Sequence, residues 1–287
     1  MAAALLEGKK IAAEIREDLK ARIEDFRNRS GAVPSLATIQ VGENPAAAVY
    51  LRAQQKTAEK LGINFKLHKL DEKTNERELI DYIDRLNKER DTNGILIQMP
   101  LPSGINAKEI PNFIDPAKDV EGMHPENLGK VLSGKFEIAP CTAMAAFELI
   151  KSTGIKLYGK EAVIVGHSEI VGKPVTLLLL NEFVTVTTCH IGTGERGTLP
   201  DHVKRAEILV VAVGKAGLVK GEWIKEGAVV IDVGINRVGD KLVGDVEFEG
   251  AEERAAYITP VPGGVGPLTV TILMKNVVEA FRAQKGI

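Results

Sequence analysis

"VIVGHSEIVGKP", residues 163–174, is the stretch that decides the fold. It begins as an apolar strand, breaks at Gly166 and restarts as a helix near Val171, so backbone N–H groups and a helix N-terminus can face a pyrophosphate. The spacing is not GxGxxG, because Ser168 occupies the second glycine position and Gly172 comes one residue late. The stretch predicts a Rossmann-like dinucleotide site, and a tight strand–helix turn without a ligand is the alternative.

The second half of the chain repeats this strand-and-helix pattern. Its predicted strands are rich in Val and Ile, as in a parallel sheet with both faces buried. They are "EAVIVG" (161–166), "VTVTTCH" (184–190), "ILVVAVG" (208–214) and "AVVIDVGIN" (228–236). A usual NAD site has Asp or Glu at the end of the second strand, but this strand ends in "CHIGT", so the ribose must be held differently.

The first half predicts a second α/β lobe. Short strands "SLATIQVG" (35–42), "INFKLHKL" (63–70) and "GILIQMP" (94–100) alternate with helices at about 8–26, 45–62 and 75–90. The proline-rich stretch 100–140 predicts loop and domain crossover without regular elements. We therefore predict an N-terminal lobe at 1–140 and a Rossmann-like lobe at 141–266. We also predict that the C-terminal helix, 267–287, packs back on the first lobe.

Composition restricts the partners. With 37 Lys and Arg against 39 Asp and Glu, the net charge is −2, which provides no attraction for nucleic acid or a phospholipid surface. Cys141 and Cys189 lack the spacing of a zinc site or disulfide framework, so we expect two buried thiols and no metal. Neither a signal peptide nor an apolar run of ~18 residues is present, which predicts a soluble cytoplasmic protein.

Several motifs together are far more specific than the turn at Gly166. They are "VGxNPAxxxY" (41–50), "GILIQMPLP" (94–102), "KDVEG" (118–122), "VVIDVGIN" (229–236), "VGDV" (243–246) and "ITPVPGGVGPLTV" (258–270). From about residue 5 to 285 the chain resembles the methylenetetrahydrofolate dehydrogenase/cyclohydrolase family of one-carbon metabolism. The resemblance implies a homodimer that binds a tetrahydrofolate substrate in a cleft between its two lobes and uses NAD or NADP.

The resemblance also assigns site residues. Tyr50 matches the tyrosine that stacks on the folate ring, Gln98 the active-site glutamine and Glu121 the pterin-binding carboxylate. Pro262, Gly263 and Gly264 match the loop over the folate. The cofactor-binding positions that it implies are Gly166, His167, Ser168, Ile170, Val171, Gly172, His190, Ile191, Val213, Gly214, Gly234 and Ile235.

One departure from the family pattern bears on activity. The family's catalytic lysine lies four residues after the tyrosine, on the same helix face, and that position here is Gln54. Lys56 is turned roughly 200° away and matches a second, structural lysine. Hydride transfer needs no proton from the protein, whereas hydrolysis of the methenyl product does. We therefore predict a dehydrogenase with weak or absent cyclohydrolase activity, unless Gln98, Lys56 or an ordered water restores hydrolysis.

Other departures leave further alternatives open. Ala47 replaces a serine, Ala143 a proline, and Glu121 a shorter aspartate, so a folate- or nucleotide-binding protein without turnover is one alternative. A 2-hydroxy-acid dehydrogenase is another, although it would require a His/Arg pair. Where relatives that bind NADP carry arginine and serine, this chain has His167 and Ile191, which favours NAD or weak discrimination.

Overall fold

The computed structural model describes residues 2–287, apart from the side chains of residues 45 and 46. The chain divides into two compact units. One comprises the residues up to Ala13 and Thr142–Thr269, and the other comprises Glu14–Cys141 and Val270–Ile287. We call them the six-stranded unit and the three-stranded unit after their main sheets. Residues 2–13 group with the six-stranded unit, although they were predicted to belong to the N-terminal lobe.

Strands and helices alternate along most of the chain. The strands are β1 (Ala4–Leu5), β2 (Ser35–Val41), β3 (Asn64–Leu70), β4 (Gly94–Ile97), β5 (Glu161–Val165), β6 (Thr185–Cys189), β7 (Ile208–Val211), β8 (Val229–Asp232), β9 (Asn236–Val238), β10 (Lys241–Val243) and β11 (Tyr257–Ile258). The α-helices are α1 (Gly8–Ser30), α2 (Pro45–Leu61), α3 (Glu76–Lys88), α4 (Pro125–Leu132), α5 (Cys141–Ser152), α6 (Gly172–Asn181), α7 (Ile191–Glu195), α8 (Leu199–Val203), α9 (Phe248–Glu252) and α10 (Val265–Lys285).

The six-stranded sheet has the order β1-β11-β8-β7-β5-β6, and all of its pairings are parallel. Residues 208–211 and 229–232 are buried throughout, as expected for strands covered on both faces. β5 lies between β6 and β7. The strand that follows β5 in the sequence, β6, is therefore added on one side of it, and the next strand, β7, on the other side. This is the topological switch point at which open α/β sheets bind ligands, and the predicted Rossmann-like sheet is confirmed.

The three-stranded sheet has β2 in the centre, with β3 and β4 parallel to it on either side. One face packs on α3, where Ile83 lies in a core with Ile39 and Ile95. A capping box at Asn75 and Glu78 fixes the start of α3. Since side chains alternate along a strand, Thr38 and Leu96 face the opposite side.

The prediction that 100–140 lacks regular elements is wrong. The helix α4 begins at Pro125, and a 3₁₀ turn occupies Ile110–Phe113. Proline is favoured in the first turn of a helix, where its missing N–H costs nothing, and the His124 side chain caps α4 by accepting from the Glu126 N–H. The proline content therefore marks the beginnings of short helices as well as loops.

Two further features concern the expected cysteines and membrane spans. Cys141 and Cys189 are free and buried, as predicted. Among residues 2–287, no helix has the length and apolar character that crossing a membrane requires.

Candidate active site

A cavity of about 320 Å³ opens in the three-stranded unit. Ala47 and Tyr50 line it from one face of α2. Gln98 is the first residue after β4, and Glu121 lies in the turn that contains Gly122. The remaining lining residues are Leu96, Ile97, Met99 and Pro100. The structure thus brings together three side chains, Tyr50, Gln98 and Glu121, that are up to 71 positions apart in the sequence.

Tyr50 presents an aromatic ring in the wall of this cavity. Burial raises the pKa of its phenol well above the usual range, and the nearby Cys141 and Glu121 raise it further. The phenol is therefore neutral at physiological pH. A neutral, flat ring suits stacking on a planar ligand better than it suits proton transfer.

Gln54 and Lys56 lie on different faces of α2. Gln54 is fully buried, whereas Lys56 is exposed to solvent, as the predicted helical rotation requires. Gln54 is near enough to the Tyr50 hydroxyl to lower its pKa, but neither polar atom of the amide has a hydrogen-bond partner of good geometry in residues 2–287.

Two other buried polar atoms near this cavity lack partners within the described residues: Thr38 Oγ1 and Gln98 Oε1. Thr38 lies on β2, beside β4, and Gln98 lines the cavity. An unpaired buried polar group costs ~1–3 kcal/mol, and native proteins usually satisfy such groups with water or a ligand. The unpaired oxygen of Gln98 is therefore consistent with a polar ligand or bound water in the cavity.

Glu121 is the titratable carboxyl group of the cavity wall. Burial raises its pKa to about 7, and the neighbouring Asp119 adds to the effect. Asp119 holds the turn in place by accepting from the backbone N–H of Gly122 at 3.0 Å and of His124 at 2.8 Å. The turn is thus fixed, and the charge of Glu121 changes near neutral pH.

A larger cavity, of about 750 Å³, lies at the switch point of the six-stranded sheet. It is lined by six of the predicted cofactor residues: Gly166, His167, Ser168, His190, Ile191 and Val213. Its wall also contains seven residues that were not predicted from the sequence: Val165, Gly194, Glu195, Leu199, Ala212, Lys215 and Leu218.

Glycine is required at the entrance to α6. At Gly166 φ is +119°, and a Cβ atom there would lie 2.3 Å from the carbonyl oxygen of Ala212. A Cβ at Gly172 would lie 2.0 Å from the carbonyl oxygen of Gly166. Ile170, Val171 and Gly172 shape this turn without lining the cavity. A close turn leading into the ten-residue helix α6 fits a dinucleotide phosphate.

The edge of this cavity carries two imidazoles. The rings of His167 and His190 lie 5.3 Å apart. His190 Nδ1 accepts from the Gly192 N–H, which places the proton of the neutral ring on Nε2. Glu195, the last residue of α7, is a carboxylate in the lining of this cavity.

Five predicted residues line a different cavity. This second cavity of the six-stranded unit, about 270 Å³, is lined by Gly234, Ile235, the loop 260–264 and the first turn of α10, with Lys9 at its wall. The predicted folate-loop residues Pro262, Gly263 and Gly264 thus lie beside the predicted cofactor residues Gly234 and Ile235. Gly214 lines neither cavity. No group of His, Cys, Asp or Glu suited to hold a metal occurs in the part of the chain that the structure describes.

Comparison with known proteins identifies the family. Residues 6–121 match the model for the catalytic domain of tetrahydrofolate dehydrogenase/cyclohydrolase, and residues 140–285 match the model for its NAD(P)-binding domain. The chain belongs to the tetrahydrofolate dehydrogenase/cyclohydrolase family. The family resemblance inferred from the motifs is thereby confirmed.

Individual members of the tetrahydrofolate dehydrogenase/cyclohydrolase family are closely similar over the full length. The bifunctional protein FolD of Bacillus subtilis is 50% identical over 283 residues, which cover 98% of this chain and 99% of the relative. The bifunctional enzyme FolD of Campylobacter jejuni has 41% identity and a TM-score of 0.94, covering 98% of this chain and 99% of its own. The Trypanosoma brucei enzyme, solved with NADP and an inhibitor, has 38% identity and a TM-score of 0.95, with both chains covered completely.

Proposed function

We propose that the protein oxidises 5,10-methylenetetrahydrofolate to 5,10-methenyltetrahydrofolate by hydride transfer to NAD or NADP. The observation that carries this proposal is the grouping of Tyr50, Gln98 and Glu121 around one cavity of the matched catalytic domain. The second, independent support is the cavity at the switch point of the matched NAD(P)-binding domain.

The three polar or aromatic side chains that the structure groups in this cavity each have a role in this reaction. Tyr50 stacks on the pterin, the Glu121 carboxylate accepts from the pterin N–H donors, and the Gln98 amide accepts from and donates to the substrate or a water. The nicotinamide, when bound, accepts the hydride. Because the step needs alignment and no proton transfer to the protein, Gln54 does not prevent it.

Hydrolysis of the methenyl product, unlike hydride transfer, requires proton transfer. Water must lose protons and a ring nitrogen must gain one, and the Gln54 amide has no titrating proton. We propose that cyclohydrolase activity is weak or absent for this reason. The second candidate is a fully bifunctional enzyme that produces 10-formyltetrahydrofolate. It is favoured by the names of the Bacillus and Campylobacter relatives, which are called bifunctional.

One assay tests these functions together. Purified protein is mixed with methylenetetrahydrofolate and NAD or NADP, and reduced nicotinamide and the methenyl cation are followed by absorbance. Reduction with accumulation of the cation supports the dehydrogenase, and reduction with rapid loss of the cation supports the bifunctional enzyme. Without reduction of either nucleotide the proposal fails, which leaves a binding protein or a different dehydrogenase. The implied homodimer stays a prediction, testable by light scattering.

We expect weak discrimination between the nucleotides, with NAD favoured at alkaline pH. Glu195 lines the nucleotide cavity and repels a 2′-phosphate, while His167 and Ile191 provide no permanent positive charge at its edge. Lys215, the lysine that lines this cavity, follows β7 and not the ribose-side strand β6. The measurement is kcat/KM for both nucleotides at pH 8. A value for NADP about tenfold above that for NAD, a difference of ~1.4 kcal/mol, contradicts this expectation.

The folate KM should depend on pH through Glu121. Its raised pKa of about 7 means that the accepting carboxylate is present above neutral pH and is lost as the pH falls. Between pH 8 and 6 the ionised fraction drops about tenfold, and we expect the KM for methylenetetrahydrofolate to rise by a similar factor. In Glu121→Gln, which cannot titrate, the KM should be higher and flat across this range. A natural enzyme with a flat KM contradicts the assigned role.

A further inference from the structure

Two buried aspartates beside the nucleotide cavity have no role in the proposed chemistry. Asp245 is completely buried and accepts four hydrogen bonds. Its Oδ2 accepts from the backbone N–H of Val213 at 2.7 Å and of Gly214 at 2.9 Å, and its Oδ1 accepts from the N–H of Lys215 at 2.8 Å and from Asn236 Nδ2 at 2.8 Å. One carboxyl group therefore binds three consecutive backbone amides.

These three amides belong to an exposed loop at the carboxyl end of β7. Val213 and Lys215 of this loop line the nucleotide cavity. Consecutive N–H groups that converge in this way form an anion-binding nest. Here the nest is filled by the chain's own carboxyl group, so the loop is held in one shape and these amides are not available to a dinucleotide phosphate.

Asp232 holds Asp245 in place. Asp232 lies at the end of β8, and its carboxyl group accepts from the N–H of Gly234 at 3.0 Å, of Asp245 at 3.0 Å and of Val246 at 2.8 Å. Its own N–H donates to Thr259 Oγ1 at 2.7 Å. The two aspartates therefore connect the loop after β7, the loop after β8 and the start of the Pro/Gly loop within the same unit.

The fit around both carboxyl groups is close. A Cβ atom at Gly244 would lie 1.9 Å from Asp232 Oδ2, and one at Gly234 would lie 2.2 Å from Asp245 Oδ1. Burial raises the pKa of Asp232 to about 6, and the nearby Asp245 contributes to this increase. Among the described residues, the hydrogen-bond donors to these two carboxyl groups are backbone N–H groups and the Asn236 side chain. None of these donors is a lysine or arginine side chain.

We infer that Asp245, held by Asp232, is a positioning residue that sets the loop Val213–Lys215 for contact with the dinucleotide. The inference rests on the proposed dehydrogenase function, because it assumes that this cavity takes NAD or NADP. Asp245 touches no reacting atom, and its effect is transmitted through the three backbone amides that it binds.

The test is Asp245→Asn, which keeps the shape of the side chain and replaces one accepting oxygen with an NH₂ group. Dinucleotide binding is measured by titrating the protein with NADH and NADPH and following their fluorescence. We expect the dissociation constant to rise roughly tenfold or more, since one charge-assisted partner of the loop amides is lost. The KM for methylenetetrahydrofolate should stay within about twofold.

This split distinguishes positioning from a merely structural role. A structural role would lower the amount of folded enzyme and hence the apparent kcat, and the folded fraction would bind NADH as before. Asp240→Asn is the matched control, because Asp240 is exposed in the turn between β9 and β10. It should bind NADH like the natural protein.

A second variant keeps the inference testable if Asp245→Asn does not fold. Asn236→Ala removes a single donor from Asp245 Oδ1 and leaves the loop sequence intact. We expect weaker NADH binding, by roughly twofold or more. Unchanged binding in Asn236→Ala, or in folded Asp245→Asn, overturns the inference. If the natural protein binds neither NADH nor NADPH, the proposed function itself is wrong, and the inference fails with it.

Discussion

Gln54→Lys is expected to raise enzyme-catalysed hydrolysis of methenyltetrahydrofolate by about 10²–10⁴-fold, the usual contribution of a general acid–base group. Position 54 is fully buried on α2, one turn from Tyr50, which lines the proposed folate cavity. Burial lowers the pKa of a lysine, so an ammonium placed there can give up and take back a proton near neutral pH. Hydride transfer should stay within about tenfold, because it does not use this proton.

Gln55→Lys is the matched control. Gln55 is the next residue on α2, is exposed, and bonds to Glu59, so the same chemical change occurs away from the cavity. Decay of the methenyl cation at about pH 7.5 is compared with and without each protein. An equal gain in Gln55→Lys would show that position 54 has no special role.

The natural protein provides the other decisive comparison. If it already accelerates decay of the cation about a hundredfold, another side chain or an ordered water promotes hydrolysis without the lysine. Gln98 and Lys56 would then be the groups to test. A partial gain in Gln54→Lys is compatible with the proposal, since Ala47 and Glu121 line the same cavity and changes at neighbouring positions are not additive.

Strands whose two faces are both buried were predictable from the sequence. Residues 208–211 and 229–231 are continuous runs of apolar residues, and both runs form strands of the parallel sheet, the second of which ends at Asp232. β1 was not predictable, because two residues show no periodicity and Ala4–Leu5 becomes a strand only by pairing with β11. α4 was not predicted, because its first residue is Pro125 and proline was interpreted as a sign of loop structure.

The family resemblance named candidate site residues one by one, but it did not predict which of them share a cavity. Motifs identified Tyr50, Gln98 and Glu121, whereas their common cavity depends on how β4, α2 and the turn at Asp119 pack. The family resemblance assigned Gly234 and Ile235 to the cofactor, and they line the cavity beside the Pro/Gly loop. The motif "VGDV" contains Asp245, but its partners are backbone amides about 30 residues away, which no side-chain pattern reveals.

Glu121→Ala is expected to raise the KM for methylenetetrahydrofolate roughly 5- to 150-fold, the equivalent of ~1–3 kcal/mol. Glu121 lines the folate cavity with Tyr50, and its removal leaves the pterin N–H donors without an acceptor. The loss should appear in folate binding and not in the dissociation constant of NADH, which is measured on the other unit. Glu59→Ala is the control, because Glu59 is an exposed glutamate on α2, and it should leave both constants unchanged.

Glu121→Gln separates the effect of charge from that of shape. An intermediate KM indicates that the carbonyl oxygen still accepts, whereas a KM equal to that of Glu121→Ala indicates that the negative charge is essential. An unchanged folate KM in Glu121→Ala would show that the pterin binds elsewhere.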